Sequence, residues 1–217
     1  MSEPTSRLGP VTLRTIAVSA MSNNVYLLTH TSTGAQVLID AADDALAILR
    51  LIDEGAADIT SGVPSQLALI FTTHSHWDHV RALGMVKEAT LAPAACGAAD
   101  DAAMPVPMDF TVVDGQVLPF DGFELVAVGL RGHTPGSTAL ALAVPGEPVQ
   151  LFTGDSLFPG GVGKTANPAS FTSLYDDVVV RVFDAYPDDT VVWPGHGLPT
   201  TLGAERPHLT EWRARGW

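Results

Sequence analysis

His74-Ser75-His76-Trp77-Asp78-His79 puts three imidazoles and a carboxylate into six residues. Imidazole nitrogens and carboxylate oxygens at this spacing are the donors a divalent transition metal takes. Side chains at i and i+2 of an extended chain point the same way, so His74 and His76 can address one point in space. Asp78 and His79 fall where the chain is expected to turn into a short helix, Val80 to Lys87, and can address a neighbouring point. The layout predicts two metal ions side by side.

Three more segments carry donors of the same kind: Gly132-His133-Thr134-Pro135-Gly136-Ser137, Thr153-Gly154-Asp155-Ser156 and Pro194-Gly195-His196-Gly197. Each follows an apolar run expected to be a strand, as His74 does. Glycine and proline around each donor make tight turns, and loops at one edge of a rigid sheet are where sites are usually built. The spacing assigns His74, His76 and His133 to one metal and Asp78, His79 and His196 to the other. Asp155, with two oxygens, bridges. Five imidazoles and two carboxylates suit Zn²⁺, with Mn²⁺ and Fe²⁺ also compatible. Two such cations roughly 3.5–4 Å apart acidify a water between them and polarise a carbonyl, so no serine or cysteine nucleophile is required.

The elements that must position these groups are legible as alternating and periodic runs. Strands are expected at Val11 to Val18, Val25 to Thr29, Gln36 to Asp40 and Leu67 to Thr73. Ser22-Asn23-Asn24 is expected to turn the chain between the first two. Asp43 to Glu54 has helical spacing, with Leu46, Leu49 and Ile52 on one face, Asp43 or Asp44 at its start and Gly55 as its end. A brief strand is expected at Thr90 to Ala92 and an Ala-rich helix from Ala94 to Ala103. Phe110 to Val113, Gln116 to Phe120 and Phe123 to Leu130 have the look of a meander through Asp114-Gly115 and Asp121-Gly122. Ser137 to Val144 and Val149 to Phe152 form a hairpin, Ser170 to Ala185 a helix, Thr190 to Trp193 a last strand and Glu205 to Arg215 a terminal helix. Strand clusters separated by helices in two halves suggest two face-to-face sheets with helices outside.

The chain of 217 residues is 46% hydrophobic, enough for a sizeable core, and a single domain is expected over residues 1–217. A formal net charge of -13 argues against nucleic acid or an anionic membrane as partner, leaving a small molecule. The one cysteine, Cys96, allows no internal disulfide and fits a reducing cytoplasm. No apolar leader is visible in Met1 to Arg7 and no apolar run reaches membrane-spanning length. His30 and His208 are expected to be ordinary histidines, Cys96 a small buried hydrophobe, and Trp77 and Phe158 packing or pocket-wall residues.

The set His74-x-His76-x-Asp78-His79, Gly-His133-Thr-Pro-Gly, Thr-Gly-Asp155-Ser-Leu-Phe and Pro-Gly-His196-Gly resembles the metallo-β-lactamase superfamily, in that family's order. Its glyoxalase II (hydroxyacylglutathione hydrolase) branch is the nearest likeness, since an aspartate rather than a cysteine stands at 155. The resemblance implies an α+β fold, the four-layer αβ/βα sandwich, and a binuclear hydrolase cleaving a small acyl thioester, with Asp78 also orienting the attacking water. Phe158-Pro159-Gly160-Gly161-Val162-Gly163-Lys164-Thr165 is similar to the loop whose basic residue contacts the glutathione carboxylate, which makes Lys164 a substrate-binding candidate. Two features depart from that branch. Only 21 residues follow His196, too few for the C-terminal helical glutathione-binding domain, and no tyrosine follows Lys164 closely. A mononuclear-iron persulfide dioxygenase using His74, His133 and Asp155, and a lactonase or β-lactamase using the whole site, are the alternatives the same likeness carries.

Overall fold

The computed structural model describes residues 5–216, so Met1 to Pro4 of the leader reading lie outside the described residues. Seven strands make the first sheet in chain order: β1 (Ser6–Leu8), β2 (Val11–Val18), β3 (Asn23–His30), β4 (Ala35–Ile39), β5 (Gln66–Thr72), β6 (Ala94–Gly97) and β7 (Phe110–Val112). The first four are antiparallel neighbours, whereas β4 through β7 run parallel. The second sheet takes β8 (Val117–Phe120), β9 (Phe123–Gly129), β10 (Thr138–Leu142) and β11 (Gln150–Gly154), joined by an antiparallel ladder. A two-stranded ribbon, β12 (Leu157–Phe158) with β13 (Gly161–Val162), follows. Then β14 (Val191–Pro194) pairs parallel to β11, and β15 (Thr200–Thr201) closes the edge.

The central strands are apolar on both faces, and the period of two sends neighbouring residues into different cores. Leu28, Ile39 and Phe71 face the second sheet, meeting Leu125, Leu140, Phe152 and Trp193. Leu27, Leu38 and Ile70 face outward under α1 (Ala45–Ala56) and α2 (Leu83–Thr90), which contribute Ile48, Leu51, Leu83 and Val86. Behind the second sheet, Val128, Ala139, Leu151 and Val192 meet Leu174 and Val178 of α3 (Pro168–Val178). A short α4 (Leu202–Glu205) leads to α5 (Leu209–Arg215), whose Trp212 is fully buried in the same core. This is the expected four-layer αβ/βα sandwich. Among the described residues no helix is long and apolar enough to cross a membrane.

Several local expectations need correction. Ala94 to Gly97 is a strand, not helix: it has no β-branched residue, but it lies buried between β5 and β7, and only Ala98–Ala103 forms a 3₁₀ turn. No strand forms at Thr90 to Ala92, because α2 ends at Thr90 with Leu91 in the left-handed region. Phe110 to Val112 belongs to the first sheet, so Asp114-Gly115 carries the chain across to the second sheet instead of closing a hairpin. Helix α1 starts behind Asp44, whose carboxylate accepts from Ala47 N, and continues through Gly55. A Cβ on Gly55 would sit 2.5 Å from Leu27 Cδ2, so that residue serves close packing on the sheet, not termination. The helix face turned inward is Ala45, Ile48, Leu51 and Gly55, which leaves Leu46 exposed.

Candidate metal centre

All the donor loops emerge at one edge of the sandwich, past the ends of β5, β9, β11 and β14. Backbone hydrogen bonds stitch the two sheets together there. Thr138 N donates to Thr73 O at 2.9 Å, and Asn24 N donates to Gly195 O at 2.7 Å. Asn24 Nδ2 also donates to Pro194 O and Gly197 O, and the Tyr26 hydroxyl to Pro194 O. The His196 turn is thus pinned to β3, and Asn23 and Asn24, expected in a turn, are buried strand residues; the turn lies at Ser19–Ser22.

The structure brings six of the seven donors into two adjoining trios, with Asp155 between them. Ligand-type atoms of His74, His76 and His133 lie within 4.8 Å of one another, and so do those of Asp78, His79 and His196. These are the two sets the spacing assigns. The His133 ring centroid is 4.7 Å from that of His74 and 4.4 Å from that of His76. Asp155 stands between the trios: its Oδ1 is 3.4 Å from His79 Nε2, and its Oδ2 is 3.5 Å from both His133 Nε2 and His196 Nε2.

Four of the five imidazoles are oriented through Nδ1. His79 Nδ1 donates to Asp40 Oδ2 (2.9 Å), His133 Nδ1 to Lys164 O (2.7 Å), and His196 Nδ1 to Met21 O (2.9 Å). Thr73 Oγ1 donates to Asp40 Oδ2, so His74 Nδ1 donates in turn to Thr73 Oγ1 at 3.0 Å. A proton on Nδ1 leaves the Nε2 lone pair for the centre, the arrangement that metal-binding histidines use. Asp40 also accepts from Thr73 N, so its oxygens are engaged in holding ligands. Asn23 Nδ2 donates to Asp78 Oδ2 at 2.9 Å.

The residues fit a cation. His74 Nε2, His133 Nε2 and Asp155 Oδ1 are buried without any hydrogen-bond partner, although buried polar atoms are rarely left so. His79 Nε2 and His196 Nε2 stand 3.2 Å apart with their other nitrogens already donating. Two lone pairs facing each other this closely need positive charge between them. Burial opposes a proton on His79, but hydrogen bonds to Asp155 and Asp40 overcome it and raise its pKa to about 10. A hydrogen bond to Asp155 likewise raises His196. Burial, then the neighbouring His79, holds His74 well below the usual imidazole range, and burial lowers His133. Asp155 is held well below the carboxylate range by His196 and His79 despite its burial.

Lys164 meets the site through its backbone carbonyl on His133, while its side chain is exposed. Trp77 is exposed beside the motif, with the Arg81 guanidinium 4.9 Å over its ring. His30 is an ordinary buried histidine stacked on Phe123, and Cys96 is buried as expected. Asp40, Asn23 and Asp100 are site residues that the motif does not contain. The one available signal is Asp40, a carboxylate directly after the apolar run Val37-Leu38-Ile39.

Comparison with known proteins agrees with this geometry. Residues 18–196 match the Metallo-beta-lactamase superfamily. The chain is 27% identical over 210 residues to hydroxyacylglutathione hydrolase GloC of Haemophilus influenzae, covering 88% of this chain and 93% of that protein. It is 30% identical over 188 residues to the hydroxyacylglutathione hydrolase of Roseobacter denitrificans, covering 83% of this chain but only 65% of that protein. The crystal structure of ETHE1 from Myxococcus xanthus superposes with a TM-score of 0.75 at 27% identity, over 93% of this chain and 84% of that chain. The chain belongs to the metallo-β-lactamase superfamily. It is a metal-dependent hydrolase whose histidine and aspartate clusters fit a dinuclear divalent metal site.

Proposed function

We propose that the protein hydrolyses a small acyl thioester, in the manner its hydroxyacylglutathione hydrolase relatives' names describe, with His74, His76 and His133 holding one metal and Asp78, His79 and His196 the other. Asp155, placed between the trios, would offer a carboxylate oxygen to each, and Zn²⁺ is the ion this donor set suits. The observation that carries the reading is the set of three buried, partnerless donor atoms, His74 Nε2, His133 Nε2 and Asp155 Oδ1, where the two trios meet. When bound, the two cations supply an acidified water and polarisation of the scissile carbonyl. Asp78, held by Asn23, orients that water by accepting its hydrogen bond. Hydrolysis would form a bond from the water oxygen to the carbonyl carbon and break the C–S bond, the sulfur leaving as thiolate, the acyl group as carboxylate and the two water protons passing to solvent. The exposed ammonium of Lys164 is a point charge for a substrate carboxylate, and residues 1–217 act as a single catalytic domain.

Metal analysis of the purified protein, paired with thioester, lactone and β-lactam substrates, tests this. About two metals per chain and cleavage of hydroxyacyl thioesters are expected. No thioester cleavage at full metal occupancy would overturn the substrate class, and a single iron with oxygen uptake on a persulfide would replace hydrolysis altogether.

A further inference from the structure

Asp100 sits in the 3₁₀ turn Ala98–Ala103 and is only 1% exposed. Its carboxylate accepts three hydrogen bonds from the two loops that carry the first trio. Ser75 N, between His74 and His76, donates to Oδ2 at 2.8 Å. Thr134 Oγ1, on the residue after His133, donates to the same oxygen at 2.6 Å, and Gly136 N donates to Oδ1 at 2.6 Å. Gly136 is what lets the loop close on it, since a Cβ there would meet the Asp100 backbone nitrogen and come 2.8 Å from its side chain. Asp100 makes no bond to the other trio, which is braced through Asn23 on Asp78, Asp40 on His79 and the Met21 carbonyl on His196.

We propose that Asp100 is a positioning residue for the His74–His76–His133 trio alone, a clamp that ties the Ser75 backbone to the Thr134–Gly136 turn. The proposal rests on the reading of that trio as a metal site. Only a carboxylate serves, because it is acceptor-only with room for all three donors. An asparagine would turn an amide N–H₂ toward one of the donors and leave buried groups unpaired. Asp40 reaches both trios, His79 directly and His74 through Thr73, whereas Asp100 reaches only the first, so the first can be loosened without touching the braces of the second.

The test measures Zn²⁺ affinity by competition with a chromophoric chelator, in the full chain, on two backgrounds. H196A leaves the first trio intact, and H76A leaves the second. Asp100→Asn is expected to weaken Zn²⁺ binding by about 10–100-fold in the H196A background, the loss typical for groups that orient metal ligands. In the H76A background the affinity should stay within about threefold. Equal weakening in both backgrounds, or none in either, would overturn the proposal. Should Asp100→Asn not fold, as judged by far-ultraviolet circular dichroism, Thr134→Val removes one of the three donors and carries the same test, with a smaller loss confined to the H196A background; no loss there overturns it equally. Failure of the otherwise unmodified chain to bind two Zn²⁺ would defeat the reading of the site, not the role of Asp100.

Discussion

Two of the clusters of buried polar side chains in this fold end differently. Near the outer face of the first sheet, Arg14 and Asp58 form a closed pair. Asp58 Oδ1 accepts from Arg14 Nη2, and Oδ2 accepts from Arg14 Nε and Thr12 Oγ1, each at 2.8 Å. Charge meets charge, and both carboxylate oxygens are engaged. At the sheet edge the seven-donor cluster is equally buried in part but left open, with three donor atoms lacking a hydrogen-bond partner. A closed network is complete as folded; an open one is stable only when something of opposite charge joins it. The difference separates a cluster that serves the fold from one that serves the chemistry.

The comparison predicts opposite responses to mutation. Asp155→Asn should abolish most turnover, by several kcal/mol of transition-state stabilisation or roughly a thousandfold in kcat/KM, while the melting temperature of the metal-free chain stays close to that of the parent. A variant that kept near-full activity would break the assignment of Asp155 as the bridge. Arg14→Met should do the reverse. Removing one partner of a buried pair strands the other charge and costs about 3–5 kcal/mol of stability, read by urea denaturation, with metal content unchanged. A smaller, mixed effect is expected from Gly195→Ala. Its Cβ would fall on Asp155 Oδ1 and lie 2.7 Å from His79 Cε1. Overpacking of about 1–3 kcal/mol would be accompanied by metal content dropping below two per chain. Full metal occupancy in that variant would show that the two trios have more room than the geometry gives them.

The ligands were readable because four crowd into one six-residue motif after an apolar run, and His133, Asp155 and His196 each sit beside glycine just after another. The groups that hold them were not. Asp40, Asn23 and Asp100 are single residues whose partners lie far along the chain, Asn23 being 55 residues from Asp78 and Asp100 being 34 from Thr134. Local pattern does not see such pairs, and Asn23-Asn24 mimics a turn because asparagine usually makes one. In the fold, the long alternating strand Val11–Val18 was legible residue for residue. Ala94–Gly97 was not, since its strand state comes from the ladders on either side, which outweigh alanine's helical preference. The phase of α1 was misjudged for a related reason. Close approach to the sheet favours small Ala45 and Gly55 over the larger Leu46.

The smallest predicted effect sharpens the comparison most, because it concerns a closed network that touches the open one. Asp177 of α3 accepts from Arg131 Nε, Nη2 and backbone N, at 2.8, 2.7 and 3.0 Å. Arg131 lies two residues before His133. Burial opposes ionisation of Asp177, but the Arg131 hydrogen bonds and Arg181 pull its pKa below the ordinary carboxylate value. A carboxyl whose folded-state pKa is depressed stabilises the fold above its unfolded pKa of about 3.9, and that contribution disappears as pH falls through the folded value. Asp177→Asn should therefore lower the melting temperature by a few degrees near neutral pH, with the gap to the parent closing as the pH drops below about 4. Zn²⁺ binding should be nearly unchanged, because His133 takes its orientation from the Lys164 carbonyl and its loop from Asp100. A gap that persists at low pH would mean Asp177 acts by packing, not charge. Loss of metal in the same variant would mean that the closed network supports the site as well as the fold.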